Sequence, residues 1–113
     1  MTLDEGWCAS HRFARISARK VRPLMTLLRG RRCDEALELL RFNGRRASGF
    51  VRQVVKSAMS NADEQEADMG RLVIVEARVD DGPSAARWRP KDRGRAHPIR
   101  KRTSHIIVRI AEG

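Results

Sequence analysis

Residues 80–102 restrict the fold of this chain more than any other part of it. The stretch is 23 residues long, polar, and poor in apolar side chains. Within residues 87–102 the cations Arg87, Arg89, Lys91, Arg93, Arg95, Arg100, Lys101 and Arg102 face a single acid, Asp92. Charges of this number cannot be buried without partners. A structureless loop of this length is also uncommon inside a compact domain. The stretch lies between two runs rich in β-branched residues, 72–79 and 103–110, which pair naturally as antiparallel neighbours. The economical arrangement is therefore a two-stranded ribbon that continues both strands past the core. With about ten residues per arm at about 3.3 Å each, it reaches roughly 30 Å beyond the domain. A lone ribbon is marginal in water, and like charges on it repel, so it makes physical sense inside a polyanion. The alternative is a basic loop without order.

The rest of the chain supplies a body. Residues 9–16 alternate loosely and read as a strand. Ser17 is placed to cap a helix over 18–29 whose stripe is Val21, Leu24, Leu27 and Leu28, with Gly30 as its stop. Pro23 within it predicts a bend. Asp34 reads as the cap of a second helix over 35–41, with Ala36, Leu37 and Leu40 inward. The clearest element is a third helix, on which Ala47, Phe50, Val51, Val54, Val55, Ala58, Met59 and Ala62 hold the i, i+3, i+4, i+7 spacing. In the strand over 72–79, Val73, Val75, Ala77 and Val79 are expected on one side. The class this predicts is α+β, with three helices packed on a small antiparallel three-stranded sheet and a long protruding β-hairpin. The chain reads as a single domain, 1–113, in which 80–102 project from a globular part made of 9–79 plus 103–111.

Charge placement sharpens the partner. Lys and Arg number 24 against 14 Asp and Glu, a net charge of +10. One basic block spans residues 12–32 (Arg12, Arg15, Arg19, Lys20, Arg22, Arg29, Arg31 and Arg32), the other is the ribbon, and residues 63–68 between them are acidic. Segregation of this kind describes an oriented surface for nucleic acid. Aromatic residues make up only 4%, which argues against a broad base-stacking sheet. No apolar run approaches the roughly 18 residues of a membrane helix. For the basic surplus, nucleic acid is the first partner class and an anionic membrane surface the second. Nucleic acid is the expected partner, with no membrane partner. The acidic, non-apolar start, Met1-Thr2-Leu3-Asp4-Glu5, predicts neither a secretory signal nor a transit peptide. No disulfide scaffold, catalytic constellation or phosphate loop stands out, so neither enzyme activity nor a cofactor is expected. Cys8 and His11 have ligand-like spacing, which Cys33 could join, but no second closely spaced pair follows and no metal site is expected. Cys33 reads as a small apolar residue.

Several strings then become specific. Residues 14–23 (ARISARKVRP) are followed by Leu27-Leu28-Arg29-Gly30, by Asp34-Glu35-Ala36-Leu37, and by Lys56-Ser57-Ala58 with Asn61-Ala62. Val79-Asp80-Asp81-Gly82-Pro83-Ser84, Arg87, Pro90, Arg93-Gly94-Arg95-Ala96 and residues 99–106 (IRKRTSHI) complete the series. Together they resemble the bacterial large-subunit ribosomal protein twenty-two family over nearly the whole chain. The resemblance implies a structural constituent of the large ribosomal subunit that binds large-subunit rRNA and supports assembly. It implies a globular part near the polypeptide exit and a hairpin tip on the tunnel wall, with neighbouring ribosomal proteins and the nascent polypeptide as further partners. It implies a monomer within a cytoplasmic ribosome. The rRNA-binding candidates are Arg12, Arg15, Arg19, Lys20, Arg22, Arg87, Arg89, Lys91, Arg93, Arg95, Arg100, Lys101, Arg102, Ser104 and His105. The tunnel-lining tip by position is Ala85, Ala86, Arg87, Trp88, Arg89, Pro90, Lys91, Asp92 and Arg93. In the family, changes at positions matching Ala85, Ala86 and Arg87 are associated with macrolide response. Trp88 has two readings, stacking on a base or packing on arginine stems. A DNA-binding architectural protein with a basic ribbon is the competing class.

Overall fold

The computed structural model describes residues 6–83, 85–91 and 95–113, with the backbone alone described at 85–91 and 95–101. In chain order the elements are β1 (Trp7–Ala14), α1 (Ala18–Leu28), α2 (Cys33–Phe42), α3 (Arg46–Glu64), a short 3-10 turn (Met69–Arg71), β2 (Leu72–Asp81), β3 (Ala85–Lys91), β4 (Arg95–Lys101) and β5 (Ser104–Glu112). The class is α+β, as the patterning predicts. β5 lies at the centre of a three-stranded sheet between β1 and β2, antiparallel to both, while β3 and β4 pair only with each other. The helices cover one face of that sheet. α3 lies on β1 and β5, α1 lies on β2, and α2 packs outside on α3. The molecule measures 62 × 28 × 21 Å, and the long dimension reflects the protruding hairpin.

The core is aliphatic. Val21, Met25 and Leu28 of α1, Val51 and Val55 of α3, Ile74 of β2, and Ile106, Val108 and Ile110 of β5 are all fully enclosed. On α1 the buried stripe is Val21, Leu24, Met25 and Leu28, one helical i, i+3, i+4, i+7 set. Leu27, expected inward, falls off that stripe and is 44% exposed. α1 passes through Pro23 without a break, and Gly30 beyond it adopts φ +81 as its stop. Ser17 occupies the N-cap of α1 but its hydroxyl makes no capping bond. α2 starts earlier than expected, at Cys33, so Asp34 is a first-turn residue and not the cap. There it joins Glu35 in complementing the positive end of the helix. α3 buries the set its spacing predicts, with Phe50 and Met59 packed at the margin. It closes with the N–H of Glu66 donating to Asp63 O (3.0 Å) and that of Ala67 to Ala62 O (3.1 Å). Glu66 sits in the left-handed region at φ +58 to make that closure, where glycine is usual.

Two strands depart from simple alternation. In β2 the buried residues are Leu72, Ile74, Ala77 and Val79, so Val73 and Val75 do not share the side of Ala77 as expected. The register against β5 shifts between Ile74 and Glu76, and the extra residue reverses the phase of everything before it. β1 begins and ends two residues earlier than the alternation predicts. It stops at Ala14, where the N–H of Ile16 turns back onto Ala14 O (2.8 Å), and Ile16 drops into the core as a plug.

The hairpin joins the body through a clasp. The N–H of Gly82 donates to Thr103 O (3.0 Å), and the Thr103 hydroxyl donates to Pro83 O (2.6 Å). A Cβ on Gly82 would lie 2.5 Å from Thr103 Oγ1, so this crossing point admits only glycine without a shift.

Candidate nucleic-acid interface

The strand register decides which charges meet. Ala14 of β1 and Asp81 of β2 both pair with Ser104 of β5, so the end of β1, the end of β2 and the root of the hairpin lie together. That end of the sheet therefore carries Arg12, Arg15 and Arg102, all exposed. α1 starts just past the same end of β1 and adds Arg19, Lys20 and Arg22 on its outer surface.

α3 runs antiparallel to β1. The Phe50 ring lies edge-on to His11 at 5.4 Å, the Asn61 amide donates to Cys8 O (3.2 Å), and the Trp7 indole N–H donates to Gln65 Oε1 (3.2 Å). This direction brings Arg45 and Arg46 at the start of α3 to the basic end of the body. It carries Asp63, Glu64, Glu66 and Asp68 to the opposite end, beside Glu112, whose carboxylate accepts the Asp68 N–H (3.0 Å). The body is thus mainly basic where the hairpin leaves, with Asp80 and Asp81 as exposed acids there, and mainly acidic where the two outer strands begin, with Arg71 as a cation there.

The basic side chains differ in what they do inside the fold. Arg29 Nε donates to Ala77 O (2.8 Å), Arg31 Nε to Leu27 O (2.8 Å) and an Arg32 terminal nitrogen to Gly70 O (2.6 Å). Arg29 thus ties the end of α1 to β2, Arg31 closes back on α1 and Arg32 reaches the 3-10 turn, so all three are partly committed to the fold. Arg78 and Arg109 lie beside Glu76 (3.6 and 3.4 Å), and Arg78 also approaches Asp80 (3.7 Å). The side chains of Arg12, Arg15, Arg19, Lys20, Arg22 and Arg102 make no hydrogen bond or ion pair among the described residues. Arg19 and Lys20 even stand in the first turn of α1, which has no acid and where a cation opposes the helix dipole. The described fold gives these six cations no partner, so they remain available to a ligand of opposite charge.

Ser104 does not belong with this set. It is 0% exposed, on the inward phase of β5, and its hydroxyl has no partner among the described residues. The expectation placed it beside Lys101 and Arg102 in sequence, but strand alternation turns it into the core. His105 alternates outward, and its Nδ1 accepts the Phe13 N–H (3.0 Å). In the hairpin, Ala85 pairs with Lys101, Ala86 with Arg100, and Lys91 with Arg95. Ala85 and Ala86, expected at the tip, are therefore at the body end of the ribbon. Arg87, Arg89, Arg95 and Arg100 lie along its two strands, with Trp88 opposite Pro98. Asp92 and Arg93 lie outside the described residues.

Sequence reasoning missed Arg45 and Arg46. Arg46 stacks over the Phe50 ring at 5.7 Å, and next to them Arg41 stacks on Phe42 at 5.8 Å, whose ring is 78% exposed. The signal was available in Gly44-Arg45-Arg46, a basic pair directly before the best amphipathic run in the chain. As for metal, Cys8 and His11 are three residues apart on one strand and face opposite sides of it, while Cys33 is in the core. Burial pushes the Cys33 thiol up to about 11, with the Asp34 carboxylate adding to the effect.

An α+β body with a basic end, and a basic ribbon leaving from that end, defines a small structural protein suited to a polyanion. The chain belongs to the family described as Ribosomal protein L22p/L17e, matched over residues 9–111, a family of structural ribosomal proteins and not of enzymes. Two relatives carry the name large ribosomal subunit protein uL22. They come from Thermoanaerobacter sp. (strain X514) and Thermoanaerobacter pseudethanolicus (strain ATCC 33223 / 39E). Each is 46% identical to this chain over 102 residues, covering 89% of this chain and 92% of its own.

Proposed function

We propose that this chain binds large-subunit rRNA through its basic end and its ribbon, and that this binding helps the subunit assemble. The observation that carries the proposal is the set of exposed cations, without a partner among the described residues, gathered where the hairpin leaves the body. Arg12, Arg15, Arg19, Lys20, Arg22 and Arg102 grip phosphates at the root. Arg87, Arg89, Lys91, Arg93, Arg95, Arg100 and Lys101 continue the contact along the ribbon, and His105 borders it. Ser104 is left out. The body and ribbon act as one domain, 1–113, present as a monomer within a cytoplasmic ribosome.

The far part of the ribbon, residues 89–93, is the segment we assign to the wall of the polypeptide exit tunnel, where the nascent chain would pass. Neighbouring large-subunit proteins would meet the body. The relatives' name supports the subunit, and the unsupported length of the ribbon supports burial in RNA, because two strands alone are marginal in water. Sedimentation of the endogenous protein tests the proposal. Co-migration with large subunits through a high-salt wash is expected; release to the top of the gradient would overturn it.

A further inference from the structure

Phe13 is the least economical residue in the body. Its backbone lies in the left-handed region, at φ +58, where a side chain is disfavoured and Gly or Asn is at ease. Its ring is 57% exposed, so the strain is not offset by burial. The cause is the register. His11 pairs with Ile106 and Ala14 with Ser104, which leaves Arg12 and Phe13 on β1 opposite the single residue His105 on β5. This is a bulge, the device by which a strand re-aims a side chain. In bulges with a left-handed residue that position is usually glycine.

The re-aimed ring is also held. The Phe13 N–H donates to His105 Nδ1 at 3.0 Å, and the two rings meet edge-to-face at 4.9 Å and 90°. Next to it in the chain are Arg12 and Arg15, both exposed and without a partner among the described residues. Folding alone would favour a smaller residue here. An exposed aromatic ring fixed in a strained bulge between free guanidinium groups has the composition of a site for one unstacked base with its flanking phosphates.

We propose that Phe13 is a base-stacking site, taking one unpaired nucleobase of the bound RNA while Arg12 and Arg15 contact the adjoining phosphates. The inference rests on the rRNA-binding reading above and adds to it a contact that is not electrostatic. A single such site agrees with the low aromatic content, since it needs one ring and no platform.

The test uses the full chain and transcribed bacterial large-subunit rRNA, with affinity measured across a salt series. Phe13→Leu is expected to weaken binding about tenfold at every salt concentration and leave the salt slope unchanged, because stacking releases no counterions. Phe13→Trp is expected to retain the affinity. Phe13→Asn is expected to raise the melting temperature, by relieving the backbone, while weakening binding to the same degree as Phe13→Leu. Unchanged affinity in Phe13→Leu, or a lower melting temperature in Phe13→Asn, would overturn the stacking site and leave the RNA reading standing. Failure of the unaltered chain to bind the rRNA would overturn both.

Discussion

The body and the hairpin are built from similar strand pairs, yet they are held by different things. β2 and β5 in the body pair over nine positions and press Leu72, Ile74, Ala77, Val79, Ile106, Val108 and Ile110 against three helices. β3 and β4 pair over seven positions and, among the described residues, form a two-stranded sheet of their own. Backbone pairing alone contributes little net stability, because it replaces hydrogen bonds to water. The body adds burial of apolar surface, and the ribbon's sequence offers few apolar side chains to bury. The contrast teaches that the body is held by its own core, while the ribbon is a strand pair outside the three-stranded sheet.

The largest expected effect tests the body. Leu28→Ala, at a fully enclosed site, is expected to cost about 2–5 kcal/mol in urea unfolding. Replacement of residues 85–101 by Asn-Gly is expected to leave the same unfolding curve within about 0.5 kcal/mol, in the range of surface changes. A ribbon deletion as costly as Leu28→Ala would abolish the distinction.

A second effect, up to about 3 kcal/mol at about 1.4 kcal/mol per pKa unit, concerns Cys33. Its folded pKa of about 11 lies above the ordinary thiol value, so the neutral thiol stabilises the fold. That stability is fully present below the unfolded pKa near 9 and is lost as pH rises through about 11. Between those limits the unaltered chain is expected to lose more stability than Cys33→Ala does; parallel pH curves would show no linkage.

The ribbon side of the comparison is tested by replacing Arg100, Lys101 and Arg102 together with Ala. The salt dependence of RNA affinity is expected to flatten by about two log units per log unit of salt, at roughly 0.7–0.9 per phosphate contact. Thermal stability is expected to stay where it was. An unchanged slope would show that the hairpin root does not touch phosphates. The smallest effect lies at the acidic end of the body. Glu66→Gly at the left-handed closure of α3 is expected to stabilise by about 0.5–1 kcal/mol in the same urea assay, since glycine removes the backbone conflict and no contact is lost.

What could be read from the residues was whatever depends on near neighbours. The stripe of α3 and most of that of α1 follow from spacing, and so do the strands that flank the ribbon. The failures share one cause. Leu27 and Val75 take faces that local pattern does not give, and Ser104, a contact candidate because Arg100, Lys101 and Arg102 lead into it, is buried; each outcome is set by a partner elsewhere. The rest of α1's stripe displaces Leu27, the bulge against β5 reverses Val75, and alternation from Ile106 carries Ser104 inward.

By itself, then, the amino-acid sequence determined that a helical and stranded body must exist beside a cationic arm, and the resemblance pointed to the family. Only the tertiary structure decided that Arg12, Arg15, Arg45, Arg46 and Arg102 share one end of the body. Only it showed that Arg29, Arg31 and Arg32 serve the fold, and that Phe13 is turned outward by a bulge opposite His105. The reason is physical. Strand register joins residues about ninety positions apart, and no local propensity carries information over that distance.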